Sequence, residues 1–153
     1  MDILFEGTII VVDIDRMEET VKERGWSEYK PNPATGKLSQ LIEKFASKWG
    51  AVIVYGLDWE RGTEEAVIEI PLTDPHDVKD DLVEIAREME ETGVTLTIVA
   101  IRSPITGRPA RSRREAYSGY RRRAKKILES LKRKGGGTVY IDGEIVYRRG
   151  TPC

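Results

Sequence analysis

One short stretch constrains the fold of this chain more than any other. Residues 7–14 read GTIIVVDI, with Ile9 to Val12 β-branched and apolar without interruption. Successive side chains of a strand point to opposite faces, so this run is apolar on both faces and belongs at the centre of a sheet. Its neighbours are legible further on. Residues 51–59 and 65–70 are β-rich runs around ERGT (60–63) and read as a hairpin, with Pro71 ending the second strand. Residues 94–101 form another β-branched run.

Helices fall between these strands. Leu38, Leu41, Ile42, Phe45 and Trp49 recur at helical spacing, and Gly50 stops the pattern. Asp74-Pro75 opens a second helix whose buried stripe is Val78, Leu82, Ile85 or Ala86, and Met89, with Gly93 as its end. A third is expected from Arg113 to about Lys134, with Tyr117, Tyr120, Ala124, Ile127, Leu128 and Leu131 on one face and Gly135 to Gly137 as its stop. Residues 16–25 are polar and fit a short helix or excursion, and YKPNPATGK (29–37) reads as loop. The tail, 138–149, reads as a hairpin turning at Asp142-Gly143. The order β-α-β-β-α-β is that of an α+β, ferredoxin-like sandwich. We expect an antiparallel sheet with helices on one face, extended by the appended third helix and C-terminal β-hairpin, in a single domain spanning 1–153.

The formal net charge of −1 conceals a segregation. Between Arg102 and Lys134 thirteen Lys/Arg face two Glu, whereas between Asp58 and Glu91 thirteen acids face three basic residues. A chain so divided can present a basic surface to an anion despite its near-neutral total. The single cysteine, Cys153, allows no internal disulfide, which points to a reducing, cytoplasmic setting. No apolar run approaches the ~18 residues of a membrane span. Asp2 and Glu6 stand where a signal peptide would be basic. Asn32 and Gln40 are the only side-chain amides, and with abundant Glu, Lys and Arg this suggests a thermophilic source.

The element order, together with VVDIDRM at the end of the first strand, resembles the palm-like nucleotidyl cyclase group. That group includes GGDEF domains, class III cyclases and archaeal GTP cyclohydrolase III. VVDIDRM is similar to the DIDxF strand end of GGDEF domains. RGTEEAVIEI (61–70) resembles GGDEF and its following strand, with Gly62 and Thr63 at the glycine positions, Glu64 and Glu65 at the acidic ones and Ala66 in place of the aromatic. KPNPATGKLSQL (30–41) is similar to the PNP loop and helix of GTP cyclohydrolase III. The resemblance implies a divalent-metal-dependent domain that binds or hydrolyses a GTP-like nucleotide. Asp13 and Glu64 would hold Mg²⁺, which takes hard oxygen ligands and nucleotide phosphates. Asp15, on the same strand face as Asp13, would orient the site, and Asp58 competes with Glu64. GTP cyclohydrolase III-like proteins usually carry two modules per chain, so either a homodimer would supply the second or the single module would lack catalysis. Asp at strand ends also serves turn chemistry alone, which is the competing reading of these acids.

The basic third helix is a separate constellation. Arg113, Arg114, Arg121, Arg122, Lys125 and Lys126 fit phosphate, either of a nucleotide, with Lys125 or Lys126 nearest, or of a nucleic acid. Tyr117 and Tyr120 would stack on bases or pack in the core. A further reading is a structural or regulatory oligomer whose acidic and basic faces pair. His76, the only histidine, offers no triad or zinc site. Gly135 to Gly137 follow a helix and so do not form a phosphate loop.

Overall fold

The computed structural model describes residues 5–150, with side chains from Glu6 onward. Asp2 and Cys153 therefore lie outside the described residues. The strands are β1 (Phe5–Ile14), β2 (Val52–Tyr55), β3 (Glu65–Pro71), β4 (Leu96–Ile105), β5 (Thr138–Ile141) and β6 (Glu144–Arg148). The helices are α1 (Met17–Arg24), α2 (Pro33–Trp49), α3 (Lys79–Glu90), α4 (Arg113–Ala116) and α5 (Arg121–Arg133). A 3₁₀ turn at Pro75–Val78 leads into α3, and the Asp74 side chain caps it by accepting from the His76 N–H.

One sheet runs in the order β2-β3-β1-β4-β5-β6. The first four strands pair antiparallel in the ferredoxin-like arrangement, with β1 central as its two-sided apolar run requires. The extension makes the sheet mixed instead of wholly antiparallel, because β5 lies parallel to β4. The connection between those two strands is helical, and a crossover of that kind returns the chain in its original direction. The terminal hairpin turns at Asp142 (φ 45°) and Gly143 (φ 97°), the paired positive φ of a tight two-residue turn.

Helices cover both faces, a correction to the single-faced expectation. Ile10, Val12 and Ile14 pack with Leu38, Ile42, Leu82 and Met89 of α2 and α3. Ile9 and Val11 pack with Val99, Ala124 and Leu128 under α5. The physical reason lies in β1 itself: a strand apolar on both faces leaves hydrophobic surface in water unless both are covered.

Two local expectations also change. PNPATGK opens α2: Asn32 accepts from the N–H groups of Ala34 and Thr35, and the Thr35 hydroxyl accepts from the Asn32 N–H, with Pro33 in the first turn. This is a capping box, which satisfies otherwise orphaned donors. The third helix is broken. α4 ends at Ala116, Gly119 takes φ 60°, and α5 restarts at Arg121. Ala124 and Leu128 keep the buried stripe, but Tyr120 is 54% exposed. Among the described residues no helix is long and apolar enough to cross a membrane.

Candidate functional site

The polar end of β1 is where the predicted acids and the basic helix approach each other. Cross-strand partners in an antiparallel pair share a face. Asp13 pairs with Glu65 of β3 and Thr97 of β4, so these side chains stand on the α5 side of the sheet. The last turn of α5 brings Lys132 over them. Its ammonium donates to the Ile14 carbonyl at 3.0 Å and lies 3.5 Å from Asp13 and 3.2 Å from Asp15.

Asp15 is buried and fully partnered. Oδ1 accepts from the Thr97 hydroxyl at 2.7 Å and faces Lys132, and Oδ2 accepts from the Thr95 hydroxyl at 2.7 Å and the Gly137 N–H at 2.8 Å. Gly136 and Gly137 form the cradle for this carboxylate. A Cβ on Gly136 would stand 2.5 Å from Asp15 Oδ1. Asp15 thus ties β1, β4 and the α5–β5 turn together and has no lone pair left for a ligand.

Asp13 is less well compensated. Burial raises its pKa to about 6, Lys132 opposes the shift and Glu65 adds to it. Glu65 is itself engaged, accepting from Arg113 Nε at 2.9 Å and the Tyr117 hydroxyl at 2.7 Å. Burial and this hydrogen bond push the Tyr117 phenol well above its ordinary value. Lys125 lies 4.3 Å from the centre of the Tyr117 ring. The acids Asp13, Asp15 and Glu65 are therefore met by Lys132, Lys125 and Arg113.

Glu64 and Asp58 do not join this cluster. Alternation places Glu64 across the strand from Glu65, where it lines a groove of about 330 Å³ with Met17, Val21, Lys30, Asn32 and Arg61. Asp58 holds its own turn, with Oδ1 accepting from the N–H groups of Glu60 and Arg61, both at 2.9 Å. Thr63 pins this connection to α2 through its hydroxyl contact with Ser39 at 2.7 Å and its N–H to Thr35 O at 3.1 Å. The positive φ falls on Gly62 (92°), not on the β-branched Thr63.

This arrangement does not fit Mg²⁺ held by the predicted set. Asp15 is saturated, Asp58 caps a turn, Glu64 faces away, and Asp13 has an ammonium beside it. Among the described residues no group of three or more metal-capable side chains comes together.

The basic residues also separate by role. Arg121 is buried, and its guanidinium pairs with Glu69 at 2.9 Å and donates to the carbonyls of Ala116 and Glu115. It is a core strut, removed from the phosphate-binding surface proposed for it from sequence. Arg114, Arg122 and Lys126 are exposed. The lysine that pairs with Asp13 and Asp15 is Lys132, which lies outside the set singled out from sequence. One sequence signal marks it: Ala124, Leu128 and Lys132 form an i, i+4, i+8 row, which places this lysine on the buried stripe.

No protein-family model matches the sequence, and no curated protein matches it. Solved structures do resemble the fold. The FimX GGDEF domain of Pseudomonas aeruginosa superposes with a TM-score of 0.52 at 15% identity, over 89% of this chain and 80% of that one. At that identity the likeness is one of architecture: the described residues form a GGDEF-like palm fold, an α+β unit with a six-stranded mixed sheet and five helices.

Proposed function

We propose that this palm-type domain binds a nucleotide in the groove between α1, the α1–α2 loop and the β2–β3 connection. The observation that carries the proposal is the chemistry of that groove. Met17 and Val21 supply an apolar floor, Lys30 and Arg61 supply cations for phosphate, and Glu28 and the Lys22-paired Glu18 also line the wall. Glu64 supplies a carboxylate with no partner among the described residues. Asn32 Oδ1 is committed to its helix cap, so the side chain offers its NH₂ as a donor. At the rim the Arg61 guanidinium lies 5.8 Å from the Tyr29 ring centre, and Tyr29 is 70% exposed, a surface on which a base can stack. The volume suits a small polar ligand. The groove adjoins the strand end at which the resembled group carries its metal-binding carboxylate.

Binding is favoured over hydrolysis. The carboxylate best placed for chemistry, Asp13, is held by Lys132, and the acidic set that would polarise a phosphoryl group is divided between two faces. Phosphate recognition then falls to Lys30 and Arg61.

The test is calorimetric titration of GTP and ATP into the full chain, with Mg²⁺ and with a chelator. Wild type is compared with Arg61→Ala and Asp13→Ala. Binding should survive chelation and Asp13→Ala and weaken at least about tenfold in Arg61→Ala, the loss of one charge-assisted contact. No binding at millimolar nucleotide would end the proposal. Loss on chelation and in Asp13→Ala, with Arg61→Ala unaffected, would move the site to the metal-dependent strand end.

A further inference from the structure

The break in the third helix leaves a surface that the groove does not use. Gly119 and the exposed Tyr120 line two adjoining clefts, of about 710 Å³ and 480 Å³. The first reaches back along the β4–α4 loop to Arg111 and also carries Glu115 and Glu69, which pair with Arg111 and Arg121. The second runs along α5 past Arg122, Arg123 and Lys126. We propose that this surface binds single-stranded nucleic acid, with a base stacked on Tyr120 and successive phosphates running into the two clefts.

Three observations support this partner. Arg122, Arg123 and Lys126 are exposed and have no acidic partner among the described residues. The first turn of α5 holds Arg122 and Arg123 in solvent beside the inward, Glu69-paired Arg121, with no acid in the turn, a placement the helix dipole disfavours. An external polyanion relieves that repulsion. The acidic helix α3, which would otherwise neutralise the patch, packs on the opposite face of the sheet.

Tyr120 then decides among polyanions. A tyrosine more than half exposed, with cations on two sides, is a stacking platform for unpaired bases, as single-strand readers use. An acidic helix of a second copy has no use for the ring, and Asp81 and Glu88 of α3 already pair with Lys48 and Lys37. A duplex keeps its bases stacked inside and would leave the ring idle. A lone nucleotide would engage one cleft.

The test is fluorescence anisotropy of the full chain with a labelled 12-nucleotide single-stranded RNA, its DNA equivalent and the matching duplex. Arg111 pairs with Glu115 at 3.3 Å, so Arg122, Arg123 and Lys126 are the cations left to meet phosphate, and they predict a log–log salt slope of about −2 for a single strand. Arg122→Glu with Arg123→Glu should weaken binding at least tenfold. Tyr120→Ala should weaken it by about five- to a hundredfold, the worth of one stacked base, and Tyr120→Phe should retain it. Tyr120 accepts no capping bond, so its replacement leaves α5 intact, which circular dichroism verifies. Arg61→Ala should bind RNA as wild type does, which separates this surface from the nucleotide groove. Absence of binding at low salt overturns the proposal. So does duplex binding equal to single-strand binding, or indifference to Tyr120→Ala. Salt-sensitive self-association without RNA binding would assign the patch to a second copy instead.

Discussion

Replacing Asp13 by asparagine should stabilise the protein at neutral pH, although Asp13 lies within ion-pair distance of Lys132. The native carboxyl titrates near 6 against an ordinary 3.8. The folded state therefore binds the proton more tightly than the unfolded state. Between those values the native form holds more protons, so stability falls as pH rises through the window and stays reduced above it. The two-unit difference is an upper bound of about 3 kcal/mol, at about 1.36 kcal/mol per unit. The side chain keeps 23% exposure and Lys132 loses one of its two carboxylate partners, so about 1–2 kcal/mol is the expected gain. Urea unfolding followed by circular dichroism at pH 4, 5, 6, 7 and 8 reads it directly. Asp13→Asn and wild type should nearly coincide at pH 4 and diverge up to about pH 7, with the variant the more stable. A variant less stable at pH 8, or a gap that does not change with pH, would show that the Lys132 pairing outweighs the burial of Asp13 and would refute the reasoning.

Gly136→Ala should destabilise the fold by at least about 2 kcal/mol in the same assay, since φ is +67° and the added Cβ would press on the Asp15 carboxylate. Arg121→Met should cost about 3–5 kcal/mol by leaving the buried Glu69 without its cation, whereas Arg121→Met with Glu69→Leu should recover only part of that loss, because the Gly107 N–H and the Ala116 and Glu115 carbonyls then lose their partners, a double-mutant cycle that thermal or urea melts can close.

The features legible in the sequence are those set by short-range periodicity. The Ile9–Val12 run announced a central strand, and the stripes Leu38–Phe45 and Val78–Met89 announced α2 and α3. Asp142-Gly143 announced the last turn, because only certain residues tolerate paired positive φ. The palm-like element order followed from placing these pieces in series. The PNP segment reads as loop in the sequence because proline and glycine mark both loops and helix starts. Only the reciprocal bonds of Asn32 and Thr35 distinguish the two. The break after Ala116 was hidden because Tyr117 and Tyr120 continue a helical stripe on paper.

What the tertiary structure alone decided is which charges meet. Asp13, Glu64 and Asp58 look like one acidic set in a linear chain. Strand alternation sends Glu64 and Glu65 to opposite faces, and a single residue of register determines which of them stands beside Asp13. Likewise, thirteen cations between Arg102 and Lys134 are equivalent in composition. Helical rotation and the break at Gly119 turn Arg121 inward to Glu69, bring Lys132 to the end of β1 and leave Arg122, Arg123 and Lys126 in solvent. Periodicity along one element is a local property and survives in the sequence. Pairing between elements depends on register and crossing geometry, which exist only once the chain has packed.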